Sequence, residues 1–246
     1  MRARAPRAPR FYFDADLRAG LLTALPPPAA QHARALRLRP GDAVVLFNGG
    51  GGEFEARLVT TGRHAVEVLA WREIERESAL AVTLVQGVSS GERMDFTVQK
   101  AVELGAVAVQ PVLTRKALVR LRGARAGAKH AHWQRIAIAA CEQCGRNRVP
   151  EVLPPLPLEA YCRGPEPAAA RIMLSLRGER ALKDCLPAAG AAIALAAGPE
   201  AGFDEAEEAL LERAGFVPVR LGPRVLRTET AALAALAALQ AVAGDF

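Results

Sequence analysis

From Leu80 onward, short apolar runs alternate with stretches patterned as helices, and this alternation restricts the possible folds more than any other feature of the chain. The apolar runs are Leu80 to Gln86, Val107 to Leu113, Ile172 to Leu176, Ala191 to Ala197 and Phe216 to Leu221. Among them lie a helix over Glu92 to Leu104, closed by Gly105, and another over Lys129 to Cys144, ending at Gly145. Asp204 to Ala214 and Thr228 to Ala243 are two more helices. Strands that alternate with helices predict an α/β fold on a mainly parallel sheet covered on both faces. Such sheets bind ligands beyond the carboxyl ends of their strands.

The chain before Leu80 reads differently. Phe11 to Phe13, Ala43 to Phe47, Glu53 to Val59 and Ala65 to Trp71 are short strands separated by turns, which makes a small β-rich module. Ala29 to Leu38 has helical character, with Ala35, Leu36 and Leu38 set against the cationic His32, Arg34, Arg37 and Arg39. Asn48 to Gly52 lies between two strands and enters the second of them. It is therefore a hairpin tip and not a phosphate loop, which would open a helix. The charged stretch Glu73 to Ser78 separates the two regions, giving domains of residues 1–73 and 74–246. Pro150 to Pro157 and Arg163 to Ala170 read as surface connections.

A net charge of +6 favours a polyanionic partner, because each phosphate neutralised by Lys or Arg releases condensed counterions. Six basic residues between Arg115 and Lys129 read as a loop suited to RNA phosphates, or as a solvated loop. The longest apolar runs are too short to cross a bilayer, so no membrane partner is expected. Arg2, Arg4, Arg7 and Arg10 make a basic start without the apolar segment of a secretory signal, which predicts a cytoplasmic protein. Cys141, Cys144, Cys162 and Cys185 are expected to be reduced thiols. Cys141 and Cys144 fall inside a helix with no second close pair to complete a metal site, so no metal is expected.

Two strands lead into unusual turns. Ala191 to Ala197 runs into Gly198-Pro199-Glu200-Ala201-Gly202, after which Asp204 can cap a helix with Glu207. Phe216 to Leu221 runs into Gly222-Pro223-Arg224-Val225-Leu226-Arg227, and Thr228 begins the last helix. Two such turns frame a pocket edged by backbone N–H and C=O groups, suited to a flat adenine and ribose. Neither turn carries a dinucleotide or triphosphate signature. Ordinary tight strand-to-helix turns are the alternative reading.

Several segments together resemble one family. They are Arg10 to Phe13, His32 to Leu38 with Gly41-Asp42, Gln99 to Gly105, Ala139 to Asn147, Gly198-Pro199-Glu200, and Leu221 to Ala231. In this order they are similar to the RsmE family, the 16S rRNA (uracil-N3) methyltransferases of the SPOUT superfamily. The resemblance implies a small PUA-like RNA-binding β-barrel at the N-terminus and a SPOUT α/β domain with a deep trefoil knot. It also implies a homodimer that binds S-adenosylmethionine in the knot loops. Carried over, the cofactor residues are Leu174, Ser175 and Leu176; Ala197, Gly198, Pro199, Glu200 and Gly202; and Leu221, Gly222, Arg224, Val225, Leu226 and Thr228. The family has glycine where this chain has Ala201, and a left-handed backbone there would strain an alanine.

The activity so implied is S-adenosylmethionine-dependent methylation of a uridine at N3 in 16S rRNA of the small ribosomal subunit. Deprotonated uracil N3 spreads negative charge onto the flanking carbonyl oxygens, so an arginine and a proton-accepting carboxylate are expected. Arg227, Arg224 and Arg10 are candidates for the cationic role, and Glu200 or Glu229 for the acceptor, with capping or dimer contact as alternatives. Arg10, Tyr12, His32, Arg34, Arg37, Lys100, Arg115 and Lys116 are candidate RNA contacts. A non-catalytic RNA-binding assembly factor of the same fold is the rival reading, and a nucleotide-dependent metabolic enzyme a second. The intact Gly-Pro turns argue against the first, and the missing phosphate signatures against the second.

Overall fold

The computed structural model describes residues 8–60, 64–117, 121–165, 167–186 and 190–246. Arg2, Arg4, Arg7 and Arg120, counted above among the basic residues, lie outside these ranges. The chain divides into two units, one of Met1–Glu77 with Cys141–Val149 and one of Ser78–Ala140 with Pro150–Phe246.

The first unit contains β1 (Arg10–Tyr12), β2 (Leu22–Ala24), α1 (Pro27–Ala35), β3 (Ala43–Phe47), β4 (Glu53–Leu58) and β5 (Ala65–Arg72). Its sheet runs β1-β3-β4-β5-β2, with β1 parallel to β3 and the other neighbours antiparallel. Strand β4 shows why it forms. Phe54, Ala56 and Leu58 point into the core, while Glu55 and Arg57 face outward and pair across the sheet with Arg72 and Glu67. Ala29 and Ala33 of α1 close the core against Phe11, Val44, Leu46 and Val68. Asn48 to Gly52 is the turn joining β3 to β4, as read from the sequence. The edge strand β2 was not anticipated, because three residues are too few to show a period.

Helix α1 stops earlier than its sequence suggests. Leu36 is its C-cap, Arg37 adopts φ 55°, and Leu38 N–H donates to the Ala33 carbonyl at 3.1 Å. Arg37 N–H donates to the Arg34 carbonyl at 2.9 Å, completing a Schellman closure. Leu36, expected on the buried face, is therefore 46% exposed. A left-handed residue with a Cβ is strained by roughly 1 kcal/mol. Arg37→Gly is expected to stabilise the protein by about 0.5–1 kcal/mol in urea unfolding. A drop in stability would mean that the arginine side chain holds the turn.

The second unit contains β6 (Val82–Gly87), α2 (Gly91–Glu103), β7 (Ala106–Leu113), α3 (Gly123–Cys144), β8 (Glu151–Val152), β9 (Leu156–Pro157) and α4 (Leu158–Arg163). It continues with β10 (Ala170–Leu174), β11 (Arg180–Ala181), a 3-10 turn at Leu182–Cys185, β12 (Ile193–Ala197), α5 (Glu205–Arg213), β13 (Val217–Arg220) and α6 (Thr228–Ala243). The last turn of α3 groups with the first unit. The sheet order is β11-β13-β10-β12-β6-β7-β8, with β9 also on β7, and every pairing in it is parallel. All five residues of the central β12 are buried, which is why its sequence is apolar throughout instead of alternating.

Asp204 and Glu207 form the capping box anticipated for α5. Helix α3 begins at Gly123, so Arg125 and Lys129 are helical and not part of a basic loop. The alanine-rich Ala124 to Ala131 favours helix but is largely solvent-facing, so it carries no apolar stripe to announce itself. The short β8 and β9 occupy the segment Pro150 to Pro157, read as a plain connection, and α4 follows it, largely in residues that no sequence reading assigned. Among the described residues no helix is long and apolar enough to cross a membrane, and no group of side chains is arranged to hold a metal ion.

Candidate active site

Strands β13, β10 and β12 lie side by side, and the loops leaving their carboxyl ends converge on a cleft of about 360 Å³. Residues 174–176, 197–202, 219–222, 224–229 and 231 line it, together with Arg93 from the first turn of α2. Every residue expected to hold the cofactor is part of this lining. Arg224 and Arg227 of the expected catalytic set line it too, as do Glu200 and Glu229.

The loop after β12 is tightly folded. The Gly202 N–H donates to the Pro199 carbonyl at 2.8 Å, and a Cβ on Gly198 would stand 2.8 Å from the Gly202 carbonyl carbon. Gly202 itself takes the left-handed conformation at φ 70°. Ala201 is not among the residues of positive φ, so its side chain carries no backbone strain. Below this turn, Gly198 O accepts from the Thr228 hydroxyl at 2.5 Å, which ties the loop to the start of α6.

The two carboxylates differ sharply. Glu200 Oε1 accepts from Ser90 N at 2.8 Å, from Ser90 Oγ at 2.6 Å and from Arg93 at 3.3 Å. Burial alone would raise its pKa, but the hydrogen bonds from Ser90 and Arg93 outweigh this and hold it below the ordinary carboxylate range. A carboxylate so held accepts a proton less readily than a free one. Glu200 lies in the loop after β12, against the N-terminus of α2, where the Ser90 hydroxyl turns to it instead of capping its own helix. Glu229 Oε2 is buried and has no hydrogen-bond partner among the described residues. Glu200 Oε2 is likewise buried and without a partner among the described residues.

Ser175 spends its hydroxyl elsewhere, donating to Glu208 at 2.9 Å, while Arg177 holds the other Glu208 oxygen. What Ser175 presents to the cleft is therefore backbone. Leu176 and Val225 are 61% and 76% exposed at the cleft. Apolar flanks, backbone edges and a turn that a Cβ would fill suit a flat heteroaromatic group with a ribose. The guanidinium groups of Arg93, Arg220, Arg224 and Arg227 outnumber Glu200 and Glu229, so the lining is net cationic. Arg93 and the fully buried Gln86, whose Nε2 lies 3.1 Å from Thr228 Oγ1 and 3.3 Å from Gly198 O, were missed from the sequence. Gln86 left one signal, a lone amide at the end of an apolar run; Arg93 left none.

Arg10 belongs to the first unit and is not among the residues that line the cleft. Its side chain is 3% exposed, bonded to Glu53 at 2.5 Å and to Asn147 at 2.6 Å, and stacked over Phe47 at 4.8 Å. Within the first unit it is a packing ion, and leaving Glu53 unpaired there would be costly. Burial would raise the Glu53 pKa, but hydrogen bonds and charge from Arg76 and Arg10 lower it below its ordinary 4.5. A depressed carboxylate stabilises the fold above its unfolded pKa and loses that contribution as pH falls through the folded one. Stability is thus expected to decline from about pH 4.5 downward, and Glu53→Gln to flatten that decline in urea titrations run at successive pH values. An unchanged slope would place the acid sensitivity elsewhere.

The other candidate RNA contacts divide between the units. Tyr12 packs edge-on to Phe47, and burial followed by Asp14 raises its pKa. His32, Arg34 and Arg37 are exposed and share α1 or its cap, with His32 against the edge of Phe11. In the second unit Lys100 pairs with Glu103 at 2.7 Å, Arg115 is bound to Asp204 at 2.6 Å, and Lys116 is exposed. The buried Cys141 thiol is pushed up to about 12, by burial first and Cys144 second, so it holds almost no thiolate near neutral pH.

The comparisons with known proteins agree with this geometry. Residues 76–240 match the family model for an RNA methyltransferase domain, and residues 25–70 the model for an RNA methyltransferase PUA domain. Ribosomal RNA small subunit methyltransferase E of Buchnera aphidicola is 31% identical over 98% of this chain and 96% of its own. The crystal structure of a ribosomal RNA small subunit methyltransferase E from Neisseria gonorrhoeae, bound to S-adenosyl methionine, is 43% identical. It superposes with a TM-score of 0.92 over 98% of this chain and all of its own. A methyltransferase from Legionella pneumophila in complex with S-adenosylmethionine is 38% identical, with a TM-score of 0.93 over the same shares.

Proposed function

Because this chain belongs to the RNA methyltransferase family that includes ribosomal RNA small subunit methyltransferase E, we propose that it methylates N3 of one uridine in 16S rRNA, using S-adenosylmethionine. The observation that carries the reading is the cleft at the carboxyl ends of β10, β12 and β13, with Arg224, Arg227 and Glu229 in its lining. S-adenosylmethionine, when bound, supplies a sulfonium-activated methyl group. Residues 174–176, 197–202 and 221–226, with Thr228, hold it chiefly through backbone groups. The protein's remaining task is alignment and exclusion of water.

Uracil N3 gives its proton to Glu229, and the charge left on the flanking carbonyl oxygens is stabilised by Arg227, with Arg224 beside it. Glu200 keeps its charge and, with Ser90 and Arg93, anchors the loop. Residues 1–73 form a PUA-like barrel that captures RNA through His32, Arg34, Arg37 and Tyr12, and residues 74–246 carry out transfer. Lys100, Arg115 and Lys116 are further phosphate contacts. The α/β domain is a SPOUT domain closed by a deep trefoil knot, a reading favoured by β13 lying between β10 and β11 in the sheet. The working enzyme is a cytoplasmic homodimer.

The test is transfer of labelled methyl from S-adenosylmethionine to small ribosomal subunits lacking this modification, followed by mass analysis of the nucleosides. N3-methyluridine at a single site is the expected product. Cofactor binding without any transfer to subunits or free 16S rRNA would favour the non-catalytic assembly factor.

A further inference from the structure

Behind the cleft, the last two residues of β6 meet both cofactor loops. Gln86 is fully buried, and its Nε2 lies 3.0 Å from Gly87 O, 3.1 Å from Thr228 Oγ1 and 3.3 Å from Gly198 O. An amide nitrogen has two hydrogens for these three acceptors. The two nearer acceptors, Gly87 O and Thr228 Oγ1, take the Gln86 hydrogens, and Gly198 O takes the Thr228 hydroxyl at 2.5 Å. The result is a directed chain from Gln86 Nε2 to Thr228 Oγ1 to Gly198 O. Turning the amide over would set Oε1 against two carbonyl oxygens, so the direction is determined by the surroundings. Gly87 completes the junction, since a Cβ there would stand 2.5 Å from the Pro199 nitrogen.

We infer that Gln86 is a positioning residue that acts through Thr228 to hold the loops at 197–202 and 221–228 in the spacing that S-adenosylmethionine requires. The inference rests on the proposed cofactor site. Gln86 touches neither the cleft surface nor the reacting atoms, and its Oε1 has no partner among the described residues. A side chain kept buried with one acceptor unmet contributes less to folding than a well-packed leucine would, which points to loop geometry as its contribution. Without the amide donor, the Thr228 hydroxyl is free to turn, Gly198 O loses its fixed partner, and the two loops separate.

The experiment is isothermal titration of S-adenosylmethionine into the wild type, Gln86→Leu, Thr228→Val, the double variant and Thr228→Ser, with steady-state methyl transfer alongside. Gln86→Leu and Thr228→Val are each expected to raise the cofactor Kd about tenfold, the effect of one buried hydrogen bond lost. The double variant is expected to be no weaker than the worse single one, because both cut the same chain. Thr228→Ser, which keeps the hydroxyl, is expected to stay within about twofold of wild type. For Gln86→Leu, KM for the cofactor rises with Kd, while kcat at saturation and KM for RNA stay put. A Gln86→Leu protein that binds like wild type, or additive losses in the double variant, overturns the inference. If Gln86→Leu does not fold, an unchanged Kd in Thr228→Val has the same force. A wild type that binds no S-adenosylmethionine overturns the cofactor reading itself, and the inference with it.

Discussion

Arg227→Ala is expected to lower methyl transfer by about a hundredfold to a thousandfold, the loss that follows removal of one charge-stabilising donor from an active site. Its melting temperature should move by less than about 2 °C, because an exposed side chain away from buried networks contributes within about 0.5 kcal/mol. The contrast follows from where the residue sits. Arg227 is the N-cap residue of α6, exposed in the cleft lining, and in none of the ion pairs found among the described residues. Its charge is therefore available to a substrate. Single-turnover rates at saturating RNA and cofactor, read beside thermal melts, make the comparison. Equal losses of rate and stability would show a structural residue and leave Arg224 to carry the charge.

Gly198→Ala is expected to abolish measurable cofactor binding and to destabilise the protein by about 1–3 kcal/mol, the range for overpacking. The added Cβ would meet the backbone of Gly202 and Phe203 at 2.8 Å, and a backbone cannot step aside as a flexible side chain can. Two neighbours calibrate the effect. Gly202→Ala meets open space but keeps φ 70°, so it should cost only about 1 kcal/mol. Ala201→Gly relieves no strain and should lower stability by less than about 1 kcal/mol. Titration calorimetry and urea unfolding of the three variants check the order. A Gly198→Ala protein that bound S-adenosylmethionine at wild-type affinity would mean that the turn opens without consequence.

The legible parts of this protein were those written locally. β12 announced itself by an unbroken apolar run, the capping box of α5 by Asp204 and Glu207 three residues apart, and the turn between β3 and β4 by its glycines. Strands β8 and β9 were missed because two residues carry no period. The start of α3 was missed because a solvent-facing helix has no apolar stripe. At the site, the two Gly-Pro turns were legible because they follow parallel strands, where such sheets bind ligands, whereas residues 174–176 came only with the family resemblance.

The sequence by itself determined the parallel α/β architecture, the β-rich module before it and the two Gly-Pro turns that line the cleft, since hydrophobic period and turn chemistry act within a few residues. Tertiary structure alone decided what the charged groups do there. Glu200 is restrained by Ser90, 110 residues earlier, and Arg10 is buried by Asn147, 137 residues later. Gln86 reaches Thr228 across 142. A charge's pKa and availability depend on its partners and its burial, and both are set by packing between segments whose separation no local pattern encodes.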